Sequence, residues 1–345
     1  MQPTFSVIIP LYNKGPYIRR AIESVLTQTE QAFEIVVIDD GSTDDGPAVV
    51  SGYADPRIRL ITQQNAGASA ARNRGISEAR ADWLAFLDAD DEYLPRFLEE
   101  VHAVIARHPE AGMVFTNWLW IRGVGEEPVP AFYCASPQSV LLGDYFKFTC
   151  DHNRRAACSS AVAVRKEAVL AAGAFPTGVA YQEDNVAWVN IALRYPVGMC
   201  PTPQAVYHNE VEGVANRVNA GTPVYPYTVT TLRAQQGGIP PRLRRSCERY
   251  IEDYLRQYVR LACRCGNPSA GRRMLLRECA IGIRPVQYCY LLALTAFPPG
   301  LSRLLVASAV SLLHAGERIL ARRRIAACTL NKFKMPGEDD FSGCR

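Results

Sequence analysis

Two stretches decide the fold: Glu34-Ile35-Val36-Val37-Ile38-Asp39-Asp40-Gly41-Ser42 and Trp83-Leu84-Ala85-Phe86-Leu87-Asp88-Ala89-Asp90-Asp91. Each is a short apolar run that stops in carboxylates. A run with no polar alternation reads as a strand buried on both faces. The acidic ends read as turns, the first reinforced by Gly41 and Ser42. Phe5–Pro10 and Ile58–Thr62 are two further strand-like runs. Helical spacing fills the intervals. Gly15–Gln28 carries Ile18, Ala21, Ile22, Val25 and Leu26, and Asp44–Tyr53, Ala68–Ala79 and Leu94–Arg107 follow. This alternation predicts a parallel sheet covered by helices on both faces. Ligands of such sheets bind outside the carboxyl ends of the strands. Asp39, Asp40, Asp88 and Asp90 are thereby placed around one crevice.

The rest of the chain is less regular. Met113–Trp120 and Ala161–Val164 read as strands, and Gln138–Phe148 and Asp184–Leu193 as helices. Charge then divides the molecule. Residues 1–228 carry 18 Lys+Arg against 26 Asp+Glu, whereas residues 229–345 carry 20 against 8. We expect an α/β domain over 1–228, a basic helical region over 229–330 and a flexible tail over 331–345. Val286–Ser302 and Leu304–Gly316 lack formal charge, but Pro298-Pro299-Gly300 breaks the first. That favours helices lying on an anionic membrane surface over a helix crossing it; a helical bundle packed on the α/β domain is the plainer alternative. Tyr250, Tyr254 and Tyr258 recur at helix spacing. This pattern reads as a packed stripe and not as a base-stacking platform, so no nucleic acid is expected as a partner. The eleven cysteines have no framework spacing, and Met1 runs almost directly into a strand. The expectation is reduced thiols in a cytoplasmic protein with no structural zinc.

Several residues carry candidate chemistry. Asp88-Ala89-Asp90 sets two carboxylates two positions apart after a buried strand, a pair that can reach Mg2+ or Mn2+ together. The plain reading is a solvated turn, with Asp91 an N-cap for the next helix. Asp39 and Asp40 can accept from a nucleobase N–H or a ribose hydroxyl, or can simply stabilise their own turn. In Asn65–Asn73, small residues around Gly67 let a ligand approach the backbone and Arg72 adds a cation; tight helix–sheet packing explains Ala70 and Ala71 equally well. Neither a phosphate-binding Gly-Lys-Ser/Thr loop nor a dinucleotide Gly-x-Gly fingerprint is present. Glu183-Asp184 opens a helix, where the dipole keeps a carboxylate ionised and able to accept a hydroxyl proton. Such placement is also ordinary helix chemistry. His208 follows a strand-like run and is a candidate third metal ligand or phosphate contact.

Taken together, these segments resemble glycosyltransferase family 2. The resemblance rests on Phe5–Asn13, Glu34–Asp44, Asn65–Gly75 and Phe86–Asp91, in order and at suitable spacing, and weakens beyond residue 95. It implies a GT-A fold, a Rossmann-like mixed sheet flanked by helices with a C-terminal helical region, and a metal-dependent (Mn2+ or Mg2+) inverting transfer from a nucleotide-sugar donor, UDP in the first instance. By position, Pro10 and Tyr12 would line the nucleoside pocket, with Asp40 at the nucleobase and Asp39 beside it. Asp88 would lie near ribose and diphosphate, Asp90 would bind the metal, and Asp184 would be the base with Glu183 its neighbour. Processive members carry Gln-x-x-Arg-Trp, and none of Trp83, Trp118, Trp120 or Trp188 follows an Arg. One sugar per encounter is therefore expected. The acceptor would be a glycan or a lipid-linked hydroxyl in surface polysaccharide synthesis, at the inner face of the membrane.

Two other readings compete. A nucleotidyltransferase would place a Gly-rich basic loop after the first strand, where Leu11-Tyr12-Asn13-Lys14-Gly15 stands instead. A non-catalytic nucleotide-sugar or carbohydrate-binding protein would lack one of the carboxylates, and all are present.

Overall fold

The computed structural model describes residues 3–121, 123, 125–134, 138–152, 156–179, 182–209, 227–278, 295–298 and 301. The chain divides into two compact units, Met1–Arg256 and Gln257–Arg345.

The first unit is built on one mixed sheet. Strands β1 (Phe5–Leu11), β2 (Phe33–Asp39), β3 (Ile58–Thr62) and β4 (Trp83–Phe86) run parallel, with β1 central between β2 and β4. Every residue of β2 is buried, which is why its sequence shows no alternation. Each such Val or Ile contributes about 1.5–3 kcal/mol by leaving water. The short β5 (Glu92–Tyr93) follows β4, then β6 (Met113–Ile121), β7 (Val129–Pro130), β8 (Val140–Leu142), β9 (Val162–Arg165) and β10 (Val197–His208). The strand order is β3-β2-β1-β4-β9-β6-β10-β5, with β7 beside β6 and β8 beside β10.

Helices α1 (Gly15–Leu26), α2 (Gly46–Ser51), α3 (Ala68–Glu78) and α4 (Phe97–Arg107) connect the early strands. Helices α5 (Tyr145–Asp151), α6 (Lys166–Ala171), α7 (Glu183–Ala192) and α8 (Tyr227–Ala234) follow, and α8 ties to α7 through Gln235 Nε2 donating to Asn190 Oδ1 at 2.7 Å. At the amino ends of the strands, Glu34 accepts from Ser6 Oγ and Arg80 N, both at 2.7 Å, and pairs with Arg59 at 3.2 Å. That buried carboxylate is satisfied by its own sheet. It leaves the opposite, carboxyl end for ligands.

The sheet is mixed, as expected of a GT-A fold: β9 runs antiparallel to both β4 and β6. One expectation needs correction, and one strand is legible in the sequence only at its end. Residues 138–148 do not form one helix: β8 pairs with β10, and α5 begins only at Tyr145, where Asp144 caps it by accepting from Lys147 N. The strand legible only at its end is β10, of which only the run before His208 reads as strand-like. Gly198, Pro201 and Pro203 interrupt its apolar pattern, and its register with β6 shifts on either side of Pro203.

Beyond α8 lie α9 (Arg244–Arg264) and α10 (Pro268–Glu278). The tyrosine stripe on α9 is packed where it belongs to the first unit. Tyr250 and Tyr254 are buried, and the Tyr250 ring meets Phe146 edge-on at 5.4 Å. Among the described residues no helix is long and apolar enough to cross a membrane. Leu304–Gly316, the tail from Lys332 and all of Val286–Ser302 except residues 295–298 and 301 lie outside the described residues.

Candidate active site

The carboxyl ends of β1, β2 and β4 and the last residue of β10 gather the acidic residues. Register places Leu11 beside Asp39 and Asp39 beside Thr62. Asp40 is buried, and its carboxylate takes three donors: Gln63 Nε2 at 2.7 Å and Ala66 N at 2.9 Å on Oδ1, Gly67 N at 2.8 Å on Oδ2. It is the bracket that holds the loop leading into α3. Asp39 Oδ1 accepts from Ser42 N at 2.9 Å. Asn13 adopts a left-handed backbone (φ 51°), and its Oδ1 accepts from Thr43 N at 2.8 Å, locking the β1 and β2 loops together. Tyr12, beside it, is exposed, and Pro10 is half-buried at the end of β1. Gly67 has φ +89°, and a Cβ there would meet nothing within 4 Å, so its backbone faces open space.

Arg72 ties two regions together. The α3 helix buries it, with Nη2 2.6 Å from Asp88 Oδ1 and Nη1 2.7 Å from Glu183 Oε1. Burial works against its charge, but Asp88 and Glu183 outweigh that and hold the guanidinium protonated. Its Nε is buried without an acceptor. The bridge brings the start of α7 to the end of β4. Asp184, next in the helix, accepts from Ser159 Oγ at 3.1 Å and Asn185 N at 2.7 Å. Burial and the neighbouring Glu183 lift its pKa to about 6, while Arg72 pulls the other way.

Asp90 pairs with Lys14 at 2.6 Å, and its backbone carbonyl accepts from Arg20 Nη2. Asp91 is not a helix cap, since Arg96 holds that position for α4. It is buried and accepts from Ser160 Oγ and, at 3.0 Å, from His208 N. Burial, with Asp90 and Asp88 nearby, pushes its carboxyl well above the usual range. The His208 ring faces Glu92, Nε2 to Oε1 at 3.0 Å.

Among the described residues, no group of three His, Cys, Asp or Glu side chains is arranged as a metal cage. Asp88 and Asp90 still suit a hard cation. Their side chains are 29% and 21% exposed, and Arg72 and Lys14 each hold one oxygen of their carboxylates. Two carboxylate oxygens with phosphate and water completing the shell is how Mg2+ is commonly held. His208, turned to Glu92, is not aligned with that pair.

Sequence reasoning missed Lys14, Gln63, Glu92, Ser159 and Ser160. Glu92 had a signal, as the last of four acids within five residues. The two serines had none, because only the short 3-10 turn at Ser159–Ala161, leading into β9, brings them beside β4.

The comparisons with known proteins agree with this architecture. The Glycosyl transferase family 2 profile matches residues 6–170. YibD of Escherichia coli, described as an uncharacterized glycosyltransferase, is 53% identical over 96 residues, 27% of this chain and 28% of that protein. The succinoglycan biosynthesis protein ExoO of Rhizobium meliloti is 42% identical over 111 residues, 32% of this chain and 31% of that protein. The matches thus span under a third of the length of these relatives. Among solved structures, S. aureus TarS 1–349 in complex with UDP-GlcNAc superposes with a TM-score of 0.55 at 16% identity, covering 84% of this chain and 90% of that one. The mannosyltransferase PcManGT of Pyrobaculum calidifontis, in complex with GDP-Man and Mn2+, gives 0.53 at 21%, covering 93% and 88%. At those identities the likeness establishes the GT-A fold alone. Residues 6–170 are thus similar to glycosyl transferase family 2 in sequence, in line with the ordered motifs and that fold.

Proposed function

We propose that this chain transfers one sugar from a nucleotide-sugar donor, a UDP-sugar in the first instance, to a hydroxyl of a glycan or lipid-linked acceptor, with inversion at the anomeric carbon. The observation that carries it is the Arg72 bridge. It brings a carboxylate suited to the donor diphosphate, Asp88, within one guanidinium of the Glu183-Asp184 pair. Leaving-group site and proton acceptor then flank one reacting centre. The similarity to ExoO, a succinoglycan biosynthesis protein, supports the choice of acceptor.

On this reading Tyr12 and Pro10 line the nucleoside. Asp39, with one hydrogen bond spent on its own turn, is the acceptor for a base N–H, and Asp40, whose oxygens are occupied by three donors, positions the Gly67 loop. Asp88 and Asp90 would hold Mn2+ or Mg2+, which would neutralise the charge developing on the departing diphosphate. Lys14 and Arg72 balance those carboxylates until the donor arrives. Arg72 Nε, buried without an acceptor, is a donor left for the substrate. Asp184 takes the acceptor hydroxyl proton as its oxygen attacks the anomeric carbon, and that is the work of a general base. Glu183, engaged with Arg72, is a positioning residue. The enzyme would act at the cytoplasmic face of the membrane.

The test is release of nucleoside diphosphate from a panel of nucleotide sugars with Mn2+ or Mg2+, beside Asp90→Asn. Release from one donor, dependent on metal and lost in the variant, is the expected result. Thermal stabilisation by nucleotide without turnover, with a glycan acceptor supplied, would favour a binding protein on the same fold. Failure of every nucleotide to stabilise the protein would overturn the reading.

A further inference from the structure

We propose that the second compact unit carries a surface that seats on an anionic phospholipid bilayer. The proposal gives the lipid-linked-acceptor reading above its physical means, but its chemistry stands on its own residues. Residues 257–278 contain Arg260, Arg264, Arg272, Arg273 and Arg277 against one acid, Glu278. On α10, Ala270, Met274 and Leu275 are buried, while Arg272, Arg273 and Leu276 are exposed. Positions 272 and 276, and 273 and 276, are one turn apart, so both arginines share a face with the leucine. Gly271 marks the inner side: a Cβ there would lie 3.3 Å from Thr295, 3.4 Å from Val259 and 3.5 Å from Ala262. The segment at Thr295 therefore packs against α10 and the end of α9.

Exposed apolar side chains accompany these arginines in the unit: Leu276 is 56% exposed, Phe297 42% and Leu301 41%. Leu276 beside Arg272 and Arg273, in a stretch with one acid, matches an interface that has a layer of phosphates and an acyl boundary beneath it. The arginines alone would suit a nucleic acid equally well, but phosphodiester backbone offers nothing to Leu276 or Leu301. A second copy presents the same cations and repels the first. The proposed contact is one that lies in the plane of the interface, through the exposed face of α10.

Cosedimentation of the full chain with vesicles tests the inference. Vesicles of phosphatidylcholine alone are compared with phosphatidylcholine and phosphatidylglycerol at three to one. Retention on the anionic vesicles, weakening as salt is raised, is expected. The triple variant Arg264→Gln, Arg272→Gln, Arg273→Gln should bind about a hundredfold more weakly, taking roughly fivefold per arginine neutralised. If that variant melts at a lower temperature than the parent, Arg272→Gln and Arg273→Gln are measured singly, each expected to lose about fivefold. Leu276→Ser should also release the protein, with no change in charge. Equal retention on neutral and anionic vesicles, unchanged retention of the charge variants, or preferential retention on duplex DNA at the same salt would overturn the proposal. So would self-association that consumes the surface in the absence of lipid. Donor turnover, assayed on the same preparations, separates the two readings, since either can fail while the other holds.

Discussion

Arg72 pairs with a carboxylate 16 positions away and another 111 positions away. Removing it would strand both. Arg72→Met should lower stability by about 3–5 kcal/mol, the cost of breaking a buried ion pair by deleting one partner. The urea unfolding midpoint reads this directly. Asp184 sits at the same junction with a pKa lifted to about 6. Below that value its carboxyl is protonated and cannot accept a hydroxyl proton; above it the carboxylate is free to do so. kcat/KM should therefore rise with pH through about 6 and level off, and a profile flat from pH 5 to 8 would remove Asp184 as the base. Asp184→Asn should cost about 10²–10⁴-fold in turnover while nucleotide affinity, measured by calorimetry, stays within a small factor. Much of this residue chemistry was legible. Asp39, Asp40, Asp88 and Asp90 stand after strand-like runs, and Asp184 opens a helix. The partners were not. Lys14 and Ser160 carry no local pattern that aims them at Asp90 and Asp91.

At the scale of elements, α3 joins the Gly67 loop to β1. Its Gly75 lies against β1, where an added Cβ would fall 2.3 Å from Ile8 Cγ2. Gly75→Ala sets a helix-propensity gain of about 1 kcal/mol against an overpacking cost of about 1–3 kcal/mol. The clash is with a fully buried side chain, so the cost wins, and the thermal midpoint should fall. The other end of α3 depends on Asp40. Asp40→Ala leaves Gln63 Nε2, Ala66 N and Gly67 N without their acceptor and should destabilise by about 1–3 kcal/mol. Faster amide exchange confined to the 65–67 loop would confirm that the effect is local. Elements whose period is uniform, β1 to β4 and α1 to α4, could be read from the sequence to within a few residues. β10 could not, because its prolines break the period and only pairing with β6, β8 and β5 makes it a strand. Residues 138–148 misled for the same reason: β8 exists through its partner.

At the scale of the whole molecule, the cysteines and the charge asymmetry matter most. Cys134, Cys150, Cys158, Cys200 and Cys247 of the first unit are thiols, and burial raises Cys150 and Cys247 to about 12. Such thiols are poor nucleophiles at neutral pH. A reductant should leave the thermal midpoint of the protein unchanged, as scanning calorimetry with and without dithiothreitol can check.

The sequence by itself determined the α/β class, the early strands and helices, and the acids at the strand ends, because hydrophobic period and turn chemistry are local properties of the chain. It also determined the charge asymmetry, which is a count. Only the tertiary structure decided that three donors converge on Asp40, that His208 turns to Glu92, and that Asp88 and Glu183 share Arg72. Those facts depend on which segments lie side by side after the chain has closed loops of tens to hundreds of residues. Local pattern does not encode that choice; it is fixed by the packing of the assembled core.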